Sequence, residues 1–285
     1  MLLATETLSE NPFETGENMN LNKMRTLAVL TCLLLAGCGG DGNDIVFSPD
    51  RSLAQGVYEG TITYTGFNNN SSSISFSQQS IVLENGEFFI IYGNTYNNAF
   101  LVDGFQHGTG QISGSTFYSY DLTDHFFNDN SISSVSGGRL TADFVAGNYF
   151  NGQSSQTDST ADFTGTAPAT SVYNYNSAAD LTAVTGTWSM VDLIGNQLTM
   201  DIGSSGSVTG TYTSGCSFTG TLTPRSSGKN VFNTAISFGP TPCPQPNQTL
   251  TGIARNYAPA SQSQALVFAG LTSDSSLGMT LFGIR

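Results

Sequence analysis

From Gly186 to the C-terminus the chain alternates apolar and polar residues in eight successive short runs, and few folds accommodate that pattern. The runs are "GTWSMVD" (186–192), "QLTMDIG" (197–203), "GSVTGTYT" (206–213), "CSFTGTLT" (216–223), "NVFNTAISF" (230–238), "TLTGIAR" (249–255), "QALVFAGL" (264–271) and "GMTLFGI" (278–284). A period of two sets Cys216, Phe218, Gly220 and Leu222 on one face of a strand and Ser217, Thr219, Thr221 and Thr223 on the other. That is a sheet with one dry and one wet side. Most connections are short and contain Gly, Asn, Ser or Pro, as antiparallel hairpins require. Eight such strands close into an up-and-down barrel, which removes the exposed edges.

The first half shows the same habit less regularly. Strands are expected at 86–92, 116–122, 139–145 and 158–165, with longer loops rich in Asn and aromatic residues. Two passages echo one another at a separation of ~130 residues. "SPDRSLAQGVYEG" (48–60) offers Ser48 as a helix N-cap and Pro49 at the first helical position, then Leu53 and Gly-x-Tyr58. "NSAADLTAVTGTW" (176–188) spaces Ser177 and Asp180 like a capping box, then gives Leu181 and Gly-x-Trp188. The expected architecture is all-β, with two antiparallel barrels or barrel-like domains in tandem. They occupy 48–170 and 186–285, and residues 171–185 form a linker with a short helix.

Upstream, Lys23 and Arg25 precede the uncharged stretch Thr26–Ala36. At about 11 residues it is too short to span a bilayer as a helix, which takes ~20, and it suits a secretory signal peptide. Leu35-Ala36-Gly37-Cys38 resembles the bacterial lipobox. That resemblance implies cleavage before Cys38, a diacylglycerol on its thiol and a fatty acyl chain (palmitate) on the new amino terminus. Gly39 at the following position implies the outer membrane, with the protein facing either the periplasm or the cell surface. Residues 19–37 are then the signal peptide and 38–47 a flexible tether. Residues 1–18 hold four glutamates and no basic residue, unlike a signal n-region, and are read as a misassigned start or leader.

An oxidising compartment makes Cys216 and Cys243 a disulfide, worth roughly 3–4 kcal/mol by chain entropy. A two-cysteine metal site would need further ligands, and both histidines, His107 and His125, lie in the first half. The formal net charge of −13 repels phosphate backbones and excludes nucleic acid as a partner.

Gly186-Thr-Trp188 is similar to the G-x-W that opens the first strand of the calycin families, namely lipocalins, fatty-acid-binding proteins and avidins. The likeness implies that Trp188 plugs one end of the barrel and packs against an arginine from the last strand, here Arg285. The architecture as a whole resembles surface-exposed lipoproteins of Gram-negative bacteria that carry β-barrel modules behind a lipidated cysteine.

Chemistry is sparse. "GFQHGTGQISGS" (104–115) lacks the Lys-Ser/Thr and following helix of a phosphate-binding loop, and no Gly-x-Ser-x-Gly elbow is present. "DLTDHFFNDN" (121–130) gathers Asp121, Asp124, His125 and Asp129 and reads as a polar hairpin loop, with a metal or acid–base site as the functional alternative. Adjacent aromatics send one ring to each side of a strand, so Phe88, Phe89, Phe126 and Phe127 are the expected contact patch for a protein or glycan. The expectation is a non-enzymatic binding or envelope-structural lipoprotein, with no cofactor beyond the lipid on Cys38. Its partners would be the membrane, through the lipid, and an envelope or surface protein or glycan. A periplasmic inhibitor or immunity-type lipoprotein, or a small-ligand carrier with a calycin-like cavity, are the alternatives.

Overall fold

The computed structural model describes residues 50–66, 72–96, 99–128, 131–258 and 264–285. Cys38, the signal peptide, the tether and the Ser48-Pro49 pair lie outside the described residues. The protein is all-β, with two closed eight-stranded antiparallel barrels. The first consists of β1 (Gly56–Thr65), β2 (Ile74–Val82), β3 (Glu87–Tyr96), β4 (Ala99–Ser113), β5 (Thr116–Asn128), β6 (Ser131–Val145), β7 (Tyr149–Ser155) and β8 (Thr160–Thr166). The second consists of β9 (Gly186–Asp192), β10 (Gln197–Ile202), β11 (Ser207–Tyr212), β12 (Ser217–Pro224), β13 (Phe232–Phe238), β14 (Thr249–Tyr257), β15 (Ala265–Leu271) and β16 (Gly278–Ile284). Each strand bonds to its sequence neighbours, β1 closes on β8 and β9 closes on β16.

Strict alternation reports where a wall meets water. β10 and β11 each read exposed–buried three times over, with Leu198, Met200, Ile202, Val208 and Tyr212 pointing into the barrel. Cys216, Phe218 and Leu222 join that interior, while Ser217, Thr219, Thr221 and Thr223 face out. Cys216 and Cys243 form a disulfide with their Cα atoms 4.5 Å apart, tying the start of β12 to the β13–β14 connection.

β15 and β16 are different, being buried on both faces almost throughout. The reason is a third core between the barrels. Val57, Ile81, Phe89, Ile91 and Phe105 of the first barrel pack there against Ile253, Val267, Ala269, Leu271 and Phe282 of the second. Tyr173 and Tyr175 of the connecting segment complete it. Burying side chains of this size is worth about 2 kcal/mol apiece, and the outer faces of β1–β4 and β14–β16, with Val231 just before β13, make this seam.

Each barrel is entered by the same device, built differently from the helix caps expected. Asp50 and Asp180 are the N-caps of short 3₁₀ turns, Arg51–Ala54 and Leu181–Ala183, each accepting from the backbone N–H two residues on. Ser177 sits one turn earlier and bonds the Asn174 carbonyl instead. Tyr58 then donates its hydroxyl to the Ala54 carbonyl at 3.0 Å, and Trp188 donates Nε1–H to the Val184 carbonyl at 2.7 Å. Both bonds run from an aromatic to the carbonyl four residues back, so the aromatic plugs the barrel end and satisfies the turn that leads into it.

Candidate functional site

The interiors are filled. Trp188, Met200, Phe218, Phe232, Phe238 and Phe268 are among the side chains that occupy the second barrel. The internal void against Ile236, Phe268 and Leu281 is about 20 Å³, room for a water at most.

The first barrel encloses a polar cluster inside its aromatic core. Asp124 accepts from Tyr64 Oη at 2.7 Å and from Tyr92 Oη at 2.8 Å. Gln106 Nε2 donates to Tyr64 Oη and Ser154 Oγ, both at 2.8 Å, and lies 3.4 Å from Asp124. Burial raises the Asp124 carboxyl to about 6, against the lowering effect of its tyrosine and glutamine donors. Gln106 Oε1 has no partner among the described residues. The carboxyl is fully enclosed and its lone pairs are taken by donors from other strands, which makes it a strut across the barrel.

"DLTDHFFN" is therefore the end of strand β5 and not a loop. Alternation turns Asp124 inward and His125 outward, so the adjacent pair cannot converge on one substrate or metal. His125 stacks on Phe105 with ring centres 4.9 Å apart and shares a 2.7 Å hydrogen bond between Nδ1 and Ser134 Oγ. Desolvation, reinforced by the charge of His107, lowers it to about 4. No group of three or more His, Cys, Asp or Glu side chains arranged for a metal occurs among the described residues.

The seam carries its own buried charge. Arg255, 1% exposed, donates to Gln79 Oε1 at 2.7 Å and Glu59 Oε1 at 2.6 Å. Its guanidinium lies between two rings, 4.2 Å from the centre of Tyr173 and 4.4 Å from that of Tyr257. A second pair, Arg225 to Glu84 at 2.8 Å, joins the β12–β13 connection to the β2–β3 turn. Sequence reasoning missed Arg255; its place in a strand otherwise read as alternating was the available signal.

The Arg285 guanidinium lies 4.3 Å over the Trp188 indole. Arg285 also donates to the Thr185 and Ala183 carbonyls, each at 2.8 Å, fastening the last strand to the entry turn.

The expected aromatic patch is corrected. Phe88 is wholly buried inside the first barrel, Phe89 in the seam, and Phe126 inside the first barrel at 8% exposure. The rings do diverge across the strand, but the outward side of β3 faces the second barrel and not water. Phe127 alone of the four is exposed, at 38%. It lines a cleft of about 250 Å³ with Leu101, Leu193 and Ile194. A neighbouring groove of about 410 Å³ runs over Met190, Leu198 and Ile284, and both depressions share Leu101, Val191 and Phe282 as walls. An apolar furrow thus follows the outside of the seam where the β3–β4 hairpin meets β9, β10 and β16.

No protein-family model and no curated protein matches the chain. Several solved structures align over most of it, three of which follow. A Bacteroides fragilis protein assigned to the outer membrane covers 83% of this chain and all of its own, at 13% identity and a TM-score of 0.29. Transferrin binding protein B from Haemophilus parasuis covers 84% of this chain and 78% of its own, at 9% identity and a TM-score of 0.25. The Neisseria meningitidis protein of that name covers 80% and 76%, at 10% identity and a TM-score of 0.25. Likeness of this degree transfers neither site nor partner.

Proposed function

We propose that this chain is a non-catalytic binding module held at the outer membrane by lipid on Cys38, and that it meets its partner with its outer surface. The observation that carries the reading is the filling of both barrels. One interior ends in a void of about 20 Å³ and the other is braced by Asp124 and its tyrosines, so recognition is left to the outside. This favours a binding module over a carrier with a calycin-like cavity. The apolar furrow around Leu101 and Phe127, on a strongly acidic body, suits an envelope or surface protein with apolar and basic residues, including a basic enzyme that such a module would inhibit.

The experiment is metabolic labelling with an alkyne-bearing fatty acid, followed by envelope fractionation of cells making the wild type or Cys38→Ala. The wild type should carry label and sediment with outer membrane, and the variant should lose both. Label retained by the variant refutes the anchor, and with it this reading.

A further inference from the structure

β6 outruns the strand beside it. Arg139–Val145 pairs with β7 residue for residue, whereas Ser131–Gly138 is bonded to β5 alone. β7 ends at Ser155, and the chain turns back into β8 through Gln156–Ser159. Gly137, at φ +78°, kinks β6 at this point, where its register against β5 slips between Leu122 and Asp124. The far flank of Ser131–Gly138 therefore carries a strand-spaced row of backbone N–H and C=O groups. Among the described residues one side chain reaches it, Gln156 Nε2 at a long 3.5 Å from the Val135 carbonyl. Ser131, Ser134, Ser136 and Gly137 are exposed, and Ile132, Ser133 and Val135 are half-buried. Solvent-exposed edges are ordinarily guarded by charge or proline, and "SISSVSGG" has neither.

We propose that this edge joins two copies of the chain, β6 pairing antiparallel with its counterpart about a two-fold axis at Ser134. The pairing sets Ile132 opposite Ser136 and Ser133 opposite Val135, and no like charges face each other. The result is a four-stranded sheet running β5–β6 of one copy into β6–β5 of the other. It also covers Ile132, which lies across from the exposed Phe127 on β5. A second copy fits better than a charged foreign strand because the edge is uncharged and matches itself under a two-fold. Cleaved before Cys38, each copy keeps 17 acidic and 6 basic residues, a net −11 that opposes approach over a Debye length of about 8–10 Å, so added salt tightens the pairing.

Sedimentation equilibrium of the detergent-solubilised full chain, density-matched and at low and high NaCl, tests this. The expected result is a concentration-dependent monomer–dimer equilibrium that shifts to dimer with salt. Ser136→Pro alters a residue without a register partner on β5, and Ile132→Lys puts a charge on the edge. Each should weaken dimerisation about tenfold or more while leaving the circular dichroism unchanged. A wild type that stays monomeric throughout, or a dimer undiminished in both variants, overturns the proposal.

Discussion

Asp124 and His125 are neighbours in sequence and opposites in environment, and their titrations oppose one another. The folded state holds the Asp124 proton up to about 6, so its contribution to stability is complete below the unfolded value near 3.8 and is lost as pH rises through 6. His125, depressed to about 4, contributes fully above its unfolded value of 6.5, and that contribution is lost as pH falls toward 4. Each shift amounts to about 3 kcal/mol. Between pH 4 and 6 the two slopes cancel in the wild type. Urea midpoints should therefore fall with rising pH in His125→Gln and rise with pH in Asp124→Asn; slopes of the same sign in both variants contradict this assignment. Arg255 belongs to the same scale. Arg255→Ala should cost about 2–3 kcal/mol through the lost ring contacts and the loss of a donor to Gln79 Oε1. Arg255→Lys should recover less than half of that, because an ammonium has no plane to stack between Tyr173 and Tyr257. Denaturant titration of both variants measures it.

Among the elements, the two entry turns show an internal repeat maintained to the hydrogen bond. Asp50 and Asp180 cap, and Tyr58 and Trp188 return to the carbonyl four residues back. Trp188→Phe keeps the ring but loses the bond to Val184 and weakens the seat of Arg285. A cost of about 1–2 kcal/mol, read from thermal or urea unfolding, is expected. The strands of the second barrel were legible because most of its wall faces water, and alternation follows the boundary between wet and dry. β4 and the end of β5 were not, since their Gly, Asp and His residues imitate a loop while bulges hide the period. The disulfide was legible from the cysteine count once an oxidising compartment was assumed, and the Trp188–Arg285 contact only through the likeness to the calycin G-x-W. The aromatic patch was misread for a single reason: a sequence shows that a ring leaves the strand, but not what stands opposite it.

At the scale of the molecule, what stands opposite is the other barrel. Gly278 of β16 lies so close to the first barrel that a Cβ there would sit 2.6 Å from His125 Cγ and 2.7 Å from Phe105 Cζ. Gly278→Val should therefore wedge the seam and cost about 1–3 kcal/mol, with hydrogen exchange rising at Phe89, Phe105 and Val267 before the barrel interiors. The seam also explains the apolar outer face of β15 and β16: that face is packed against the first barrel. With side chains filling both interiors and the seam closed, the binding proposed for this chain would use the exterior. A titration of the purified protein with a fluorescent fatty acid tests this most directly. No saturable uptake is predicted; saturable one-to-one binding, with slowed exchange along the inward residues of either barrel, would contradict it.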